Sequence, residues 1–329
     1  MKTKDFFQKL PSKAHILFIR LRSMGDCLLL TAPVRALKQE FPDFRVSVLA
    51  EARYADCFDA NPDFDEVLIA SGKYATAVQL FRRRFDAIIN LHGGPTSLFY
   101  SCIARGARIG AEQYQYGWMY HGLLPAPDPT AHSVESTMAA LQWMGVRALE
   151  APPLRYEPHP AIAIRICKDL KTPYAVIHPA ALMETKRWDP SRFAGISRQL
   201  ASRGLGVVLT CGPGEESVVR EVAKDLADSI TITGLRIAEL AELIRGARLY
   251  VGNDSGPMHL AAAVGTPTVA VWGSSDSRRW RPWRVASRVV QNPFECNPCP
   301  GYRCLVADSP LCIESVTVEQ VSAAINELI

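Results

Sequence analysis

Strand-length apolar runs alternate with helix-length segments along almost the whole chain. In the first half, apolar runs at 16–21 and 45–49 flank a helical pattern at 26–41. In the second half, the runs at 174–178 and 206–211 repeat this arrangement. Strands that alternate with helices form parallel sheets covered by helices on both faces. The chain is therefore predicted to be an α/β protein with doubly wound sheets, whose ligands bind at the carboxyl ends of the strands.

A proline-rich stretch interrupts this alternation near the middle of the chain. It contains Pro152, Pro153, Pro158 and Pro160. Such stretches are typical of domain boundaries. With 329 residues, 48% of them hydrophobic, the chain is long enough to bury two cores. We expect one domain at 1–155 and a second at 156–329, with a ligand cleft between them.

Composition narrows the classes of partner and compartment. The net charge of +4 is slight, so no nucleic-acid partner is expected. The local basic cluster at 82–84 is either a solvated helix face or a patch for an acceptor or membrane. The first apolar run is broken by Arg20 and is too short for a secretory signal. Nine cysteines without such a signal favour a reducing compartment, so we expect a cytoplasmic protein without a spanning helix.

The stretch 253–267 joins two apolar runs through a polar turn, a short Ala-rich helix and a Gly-Thr-Pro stop. Ser255 and Gly256 are small enough for backbone N–H groups at the helix start to approach an anion closely. Asp254 can accept hydrogen bonds from sugar hydroxyls, and His259 is a candidate contact to phosphate or sugar. The turn therefore predicts a sugar-diphosphate site. The alternative is that Asp254 and Ser255 only cap the helix and that His259 only packs.

Charged side chains follow two other predicted strands. Asp26 comes after Gly25 just past the first strand, where it can serve as a general base for an acceptor hydroxyl. A helix N-cap is the alternative role for Asp26. Lys186 and Arg187 lie in a loop beyond the strand that ends at His178. Fixed cations there can stabilise the negative charge that builds up on a diphosphate leaving group.

Two weaker motifs lie elsewhere in the chain. Gly212, in a Cys-Gly-Pro-Gly turn after a strand, is predicted to line a nucleotide pocket with its backbone, although a simple turn is the alternative. Asp63 and Asp65 form an Asp-x-Asp pair, but the Asn-Pro before them favours a surface turn over a metal site. We predict no metal and no cofactor at the site.

A Cys-rich segment at 296–312 has three interpretations that stay open. Cys296, Cys299, Cys304 and Cys312 have spacings of two, four and seven residues. Four thiolates can hold zinc or iron as a structural site. The same cysteines can form disulfides, or they can be inert buried thiols.

Four stretches together carry a family resemblance over nearly the whole chain. They are Met24-Gly25-Asp26 with the strand before it, Lys186-Arg187-Trp188 after Val176-Ile177-His178-Pro179, the stretch 253–267, and the cysteine tail up to Ser315-Val316-Thr317. In this order they resemble the lipopolysaccharide heptosyltransferases of glycosyltransferase family 9.

The resemblance implies a GT-B architecture, with two Rossmann-like domains that face each other across a cleft. The domain at 1–155 would bind the acceptor and the domain at 156–329 the nucleotide sugar. The donor would be ADP-heptose, the acceptor the lipopolysaccharide inner core, and the site cytoplasmic, with peripheral contact to the inner membrane left open. The family implies Asp26 as the base of an inverting transfer and Lys186 as the diphosphate contact. The chain departs from the family at 180–183, where Ala-Ala-Leu-Met offers no hydroxyl.

Four other functions differ from heptose transfer in the ligand or in the reaction. A transferase on the same scaffold can use another nucleotide sugar or a protein acceptor. A nucleotide-sugar epimerase of similar architecture would need no acceptor. A non-catalytic binding module is disfavoured because Asp26, Lys186 and Asp254 are all present. A dehydrogenase is disfavoured because the first turn lacks the Gly-x-Gly-x-x-Gly pattern.

Overall fold

The computed structural model describes residues 1–170, 172–224, 226, 229–299 and 301–329. These residues form two compact units, Met1–Glu157 and Pro158–Ile329, where the sequence predicted a division at 155/156. Each unit contains a six-stranded parallel sheet with helices in its strand connections. The predicted α/β class with doubly wound sheets is therefore confirmed.

The first unit has the strand order β3-β2-β1-β4-β5-β6. Its strands are β1 His15–Ile19, β2 Arg45–Glu51, β3 Glu66–Ala70, β4 Arg84–Asn90, β5 Arg105–Ala111 and β6 Gly122–Leu124. Its α-helices are α1 Met24–Glu40, α2 Ala52–Ala55, α3 Lys73–Phe81, α4 Gly94–Ile103 and α5 Ser133–Trp143. Short 3-10 turns cover Phe7–Lys9, Asp56–Phe58 and Gly117–Met119.

The second unit has the order β12-β11-β10-β7-β8-β9, which is the same topology traced from its own first strand. Its strands are β7 Tyr174–His178, β8 Gly206–Leu209, β9 Ser229–Thr231, β10 Leu249–Asn253, β11 Thr268–Val271 and β12 Ser287–Val290. Its α-helices are α6 Pro160–Cys167, α7 Pro190–Ser202, α8 Glu216–Ala223, α9 Ile237–Arg245, α10 Gly256–Val264, α11 Ser277–Trp280, α12 Leu311–Glu314 and α13 Val318–Asn326. A 3-10 turn covers Glu184–Lys186.

Burial on both faces explains why the central strands of the second unit are continuously apolar. All the residues of β7, β10 and β11 are buried. One face packs on α7, α8 and α13 through a cluster that includes Ile177, Val251 and Phe193. Parallel strands covered in this way lose the polar-apolar alternation of half-exposed strands. Of the helices in the described part of the chain, none combines the length and apolar composition needed to span a bilayer.

The strand order places a crevice at the carboxyl ends of two central strands in each sheet. In both units the order reverses beside the unit's first strand, between β1 and β4 and between β7 and β10. The loops leave in opposite directions at such a point, and ligands of doubly wound proteins bind there. The first crevice lies beside Ile19 and Asn90, and the second beside His178 and Asn253.

A glycine allows the loop after β11 to approach the loop after β7. A Cβ atom on Gly273 would lie 2.1 Å from the carbonyl oxygen of Thr185. Thr185 then joins two neighbours: its Oγ1 accepts a hydrogen bond from Ser274 Oγ at 2.9 Å and donates one to Gly301 O at 2.9 Å. The turn that carries Lys186 is therefore positioned by backbone contacts that leave no room for a side chain on Gly273.

We predict that Gly273→Ala destabilises the protein by about 2 kcal/mol, because the added methyl group must displace the backbone of Thr185. The midpoint of denaturant unfolding measures the loss. Gly195→Ala is the matched control. Gly195 lies inside α7, and its added Cβ would meet the side chain of Val318 at an ordinary 3.7 Å. The control should leave stability unchanged or raise it by about 0.5–1 kcal/mol, as Gly→Ala does inside helices. Equal midpoints for the two variants would refute the close-approach argument.

Candidate functional site

Asn253, the last residue of β10, fastens the long loop after β7. Its Nδ2 donates to Pro179 O at 2.7 Å, and its Oδ1 accepts from the backbone N–H of Trp188 at 3.2 Å. Asn253 is fully buried, and Trp188 is buried with its Nε1 donating to Val316 O at 2.8 Å. Trp188 therefore packs inside its loop. Both ends of the 179–188 loop are thus held against β10.

Lys186 and Asp254 form an ion pair at this strand end. Lys186 Nζ lies 2.6 Å from Asp254 Oδ2, and the side chains are 20% and 5% exposed. Ser275, in the loop after β11, donates its hydroxyl to the same carboxylate oxygen. Asp254 therefore orients a lysine and a serine from two other loops and does not cap α10. The ammonium group remains partly open to solvent and keeps further N–H donors for an anion.

The start of α10 lies directly beside this ion pair. Ser255 is the N-cap residue, but its side chain makes no cap hydrogen bond and instead donates to Asn253 O at 3.3 Å. The first turn carries no acidic residue, and Gly256 begins it. His259 follows in the same turn and is buried. The positive end of the helix dipole and the lysine together favour an anionic group at this position.

Arg187 and Gly212 lie in other parts of the second unit's strand-end loops. The Arg187 guanidinium donates to Ala181 O at 2.5 Å and to Leu182 O at 3.1 Å, so it holds the loop that contains it. The Gly212 N–H donates to Glu215 Oε2 at 3.1 Å. The hydrogen bonds of both residues therefore support loops, whereas Lys186, Asp254, Ser255 and Gly256 converge on one point.

His178 ends β7 in a fully buried position. Burial lowers its pKa to about 4, partly offset by backbone hydrogen bonding at Ala180 and His178. The imidazole is consequently neutral at physiological pH. The positive charge next to Asp254 is that of Lys186, which contacts it directly.

Asp26 lies at the crevice of the first unit, in the first turn of α1. Its Oδ2 accepts hydrogen bonds from Ser23 N at 3.1 Å and from Ser23 Oγ at 3.0 Å, which completes a capping box. Its Oδ1 pairs with the guanidinium of Arg20, which also donates to Leu91 O. Ser23 is thus the N-cap, and the alternative role of Asp26 as the N-cap residue is wrong. The carboxylate is held at the end of β1 with 23% of its side chain exposed.

Further groups surround Asp26 at the same strand end. Burial, followed by the positive charge of Arg20, lowers the pKa of His92, whereas Asp26 raises it. Burial raises the pKa of Tyr114, with Arg20 opposing and Asp26 adding to the shift. Asn90 fixes the turn at His92, because its Oδ1 accepts from the His92 N–H at 3.0 Å. Neither Tyr114 nor Asn90 belongs to a sequence motif, so only the fold places them at this strand end.

The two carboxylates of the Asp-x-Asp pair are engaged within the first unit. Asp63 pairs with Arg155 at 3.4 Å, and Asp65 accepts the Val46 N–H at 2.8 Å, so both carboxylates support local structure. Among the described residues, no three His, Cys, Asp or Glu side chains come close enough to hold a metal ion. Residue 300, inside the Cys-rich segment, lies outside the described residues.

The four cysteines of the segment are free thiols in this structure. The Sγ of Cys299 accepts the Gly301 N–H at 3.4 Å, and the Sγ of Cys304 accepts the Ala307 N–H at 3.4 Å. Burial raises the pKa of Cys312, with smaller effects from Cys296 and Cys304. Of the four, only Cys312 is buried, whereas Cys296 is exposed and Cys299 and Cys304 are partly exposed.

Comparison with known proteins identifies the family. Residues 74–308 match the model of glycosyltransferase family 9 (heptosyltransferase). Lipopolysaccharide heptosyltransferase 3 of Escherichia coli K12 is 31% identical over 291 residues, which cover 80% of this chain and 83% of that protein.

Two solved structures share the fold over nearly the whole chain. A glycosyl transferase family 9 protein from Veillonella parvula aligns with a TM-score of 0.86 at 20% identity, covering 97% of this chain and 98% of that one. The ADP-heptose lps heptosyltransferase II of E. coli aligns with a TM-score of 0.80 at 22% identity, covering 95% and 98%. The resemblance inferred from the four sequence stretches is confirmed, and the chain belongs to glycosyltransferase family 9, the heptosyltransferase family.

Proposed function

We propose that this protein is an inverting heptosyltransferase that moves heptose from ADP-heptose to a lipopolysaccharide inner-core acceptor. The observation that carries the proposal is the Lys186–Asp254 ion pair at the start of α10. A cation and a helix N-terminus at one strand end suit a diphosphate. The donor and acceptor follow from the relatives, since the chain is 31% identical to a lipopolysaccharide heptosyltransferase.

In this proposal the second unit, Pro158–Ile329, binds the nucleotide sugar. The diphosphate is contacted by Lys186 and by the N–H groups of Ser255 and Gly256. Asp254 orients Lys186 and accepts hydrogen bonds from sugar hydroxyls. When the bond between the sugar and the diphosphate breaks, negative charge grows on the departing oxygen. The Lys186 ammonium stabilises that charge more than it stabilises the ground state, which lowers the barrier.

Three further residues of the second unit are predicted to take part in binding the nucleotide sugar, namely His259, Arg187 and Gly212. His259, buried in the first turn of α10, contacts the phosphates or the sugar in this proposal. Arg187 acts through its loop, because its guanidinium holds the carbonyl groups of Ala181 and Leu182. Gly212 contributes a backbone surface at the end of β8, beside Glu215.

The first unit, Met1–Glu157, binds the acceptor beside Asp26. The carboxylate takes the proton of the acceptor hydroxyl while that oxygen attacks the anomeric carbon from the side opposite the ADP. One displacement inverts the anomeric centre and forms no covalent sugar–enzyme intermediate. Arg20 and Ser23 hold the carboxylate in place, so Asp26 meets the substrate without reorganising.

Lys186→Ala should abolish stabilisation by ADP. Ligand at 100 times its Kd stabilises a protein by about 2.7 kcal/mol, which appears as a rise in Tm. Each variant is compared with its own ligand-free Tm, because loss of Lys186 also leaves the buried Asp254 unpaired. Lys168→Ala, at an exposed lysine of the same unit, is the control and should keep the full shift. An unchanged rise in Tm with ADP in Lys186→Ala would contradict the diphosphate role of Lys186. Stronger stabilisation by UDP or GDP than by ADP would mean that the donor carries a different nucleotide.

Asp26→Asn should lower kcat roughly 10²- to 10⁴-fold, because the amide cannot accept the proton. ADP binding should be unaffected, since Asp26 belongs to the other unit. The assay measures ADP released from ADP-heptose with and without a truncated lipopolysaccharide acceptor, and Asp43→Asn at an exposed position is the control. Full activity in Asp26→Asn would exclude it as the base. Sugar conversion without any acceptor would favour the epimerase alternative, and transfer to a protein would change the acceptor class.

We also infer a cytoplasmic location with peripheral contact to the inner membrane, through one face of α3. Tyr74 and Phe81 are seven residues apart on this helix and are 84% and 62% exposed. Lys73 and Arg105 flank them, with the Arg105 guanidinium 6.0 Å from the Phe81 ring. Exposed aromatic rings bordered by cations suit the headgroup region of an anionic bilayer.

Replacing both aromatic residues, Tyr74→Ser with Phe81→Ser, should weaken binding to vesicles of anionic phospholipid at least about tenfold. Co-sedimentation at several salt concentrations measures the binding. Leu149→Ser removes an apolar side chain that is 91% exposed in the same unit, and this control should bind like the wild type. Equal binding of all three proteins would assign the membrane contact to another surface.

A further inference from the structure

The loop between β5 and β6 carries aromatic side chains that are left in solvent. Its residues 113–120, which we call the aromatic loop, read Gln-Tyr-Gln-Tyr-Gly-Trp-Met-Tyr. Tyr116 is 45% exposed and Trp118 is 82% exposed. Within the described part of the chain, neither side chain makes a hydrogen bond or a ring contact. Exposed aromatic side chains that lie this close together are typical of interaction surfaces.

Both ends of the aromatic loop are held at the carboxyl end of β4. At one end Tyr120 is buried, and its hydroxyl accepts a hydrogen bond from Asn90 Nδ2 at 2.8 Å. At the other end the ring of Tyr114 lies against the turn that follows β4, where a Cβ on Gly93 would be 3.0 Å from Tyr114 Cε1. The exposed rings thus belong to a loop with fixed ends.

The aromatic loop is continuous with the strand end that carries Asp26. In the sheet, β4 lies between β1 and β5, and Asn90 pairs in register with Ile19. The loops that follow these parallel strands therefore emerge at the same edge of the sheet. The charges of Arg20 and Asp26 both act on the pKa of Tyr114, which agrees with this placement. The loop consequently borders the crevice in which the acceptor hydroxyl is proposed to bind.

The side chains of the aromatic loop suit an uncharged ligand that carries hydroxyls. Residues 113–120 contain no charged side chain. Arg108, at the base of the loop, donates its Nε to Met119 O at 3.1 Å. Gln113 and Gln115 are exposed, and neither amide bonds to another described residue. Free amides can donate to and accept from hydroxyls, and an aromatic ring can pack on the C–H face of a sugar.

We propose that the aromatic loop binds a sugar residue of the acceptor other than the residue that receives the heptose. The inference rests on the proposed function, because it concerns the acceptor whose hydroxyl meets Asp26. Trp118 and Tyr116 pack on the ring of this second sugar, and the two glutamines bond to its hydroxyls. Trp118 is four residues from Tyr114, so their Cα atoms are at most about 14 Å apart. This span reaches a neighbouring residue of the same oligosaccharide, and the enzyme thereby selects acceptors by the sugars next to the reacting one.

The test compares two oligosaccharide acceptors, both freed of lipid so that binding to a bilayer cannot contribute. The longer acceptor contains the reacting residue with its neighbouring inner-core sugars, and the shorter one is the reacting residue alone. At saturating ADP-heptose, the wild type should use the longer acceptor with the higher kcat/KM. Trp118→Ala should lower kcat/KM for the longer acceptor about tenfold, mainly through KM, because a stacking contact is lost. The same variant should change kcat/KM for the shorter acceptor less than about twofold.

Three further variants separate a binding role from a structural one. Tyr116→Ala should show the same dependence on acceptor length, and Trp118→Leu should show a smaller loss because it keeps an apolar side chain. Leu149→Ala, at a residue of the same unit that is 91% exposed, is the control and should match the wild type with both acceptors. The rise in Tm with ADP should be the same in every variant, which shows that each is folded and binds the nucleotide.

The remaining outcomes overturn the proposal and differ in what they say about the function. Unchanged kcat/KM for the longer acceptor in Trp118→Ala and Tyr116→Ala would mean that the neighbouring sugars bind elsewhere. Equal losses with both acceptors would mean that the loop serves the reacting residue itself. A wild type that uses the two acceptors equally well would show that it does not bind the neighbouring sugars. In these three cases heptose transfer stands, whereas a wild type that transfers heptose to neither acceptor would refute the proposed function and the role of the loop together.

Discussion

The ion pair between Lys186 and Asp254 organises the second unit's strand ends. It joins a loop that follows β7 to a residue that follows β10, two strands that are far apart in the sequence but adjacent in the sheet. A buried carboxylate is costly unless it is paired and hydrogen-bonded. Asp254 meets this requirement with one lysine and one serine from different loops, so the position of each loop depends on the others. The arrangement also leaves a cation at the start of a helix, where both the ammonium charge and the positive end of the helix dipole favour an anion.

The two units place different chemistry at equivalent points of one topology. In the first unit the strand end beside the reversal carries a carboxylate, Asp26, held by an arginine. In the second unit it carries a lysine held by a carboxylate. In the proposed mechanism each pair thus has one member that acts on the reacting groups, Asp26 or Lys186, and a partner that positions it. The shared strand order explains why the two sites lie at the carboxyl ends of corresponding strands in the two sheets.

Sequence reasoning was most successful where neighbours in the chain are also neighbours in space. Asp254, Ser255 and Gly256 are consecutive, and the apolar runs around them set the strand and the helix that hold them. It failed where a site depends on contacts between distant residues. Ser275 follows no motif, and its bond to Asp254 exists only because β10 and β11 are adjacent. Arg187 shows the converse limit: although it is basic and adjacent to Lys186, it uses its guanidinium on nearby carbonyl groups, which spacing alone does not reveal.

The attachment of the Cys-rich segment limits which of its residues can change. The segment is held at 297–302, where Asn297 and the Cys299 amide bond to carbonyl groups of Gly273 and Ser274, and where the carbonyl groups of Gly301 and Tyr302 accept from Thr185 Oγ1 and the Glu184 N–H. Leu305 and Val306, just beyond this stretch, are both exposed. Sequence drift in a gene copy can therefore accumulate at this exposed tip while the strand-end loops and the Lys186–Asp254 pair keep their arrangement.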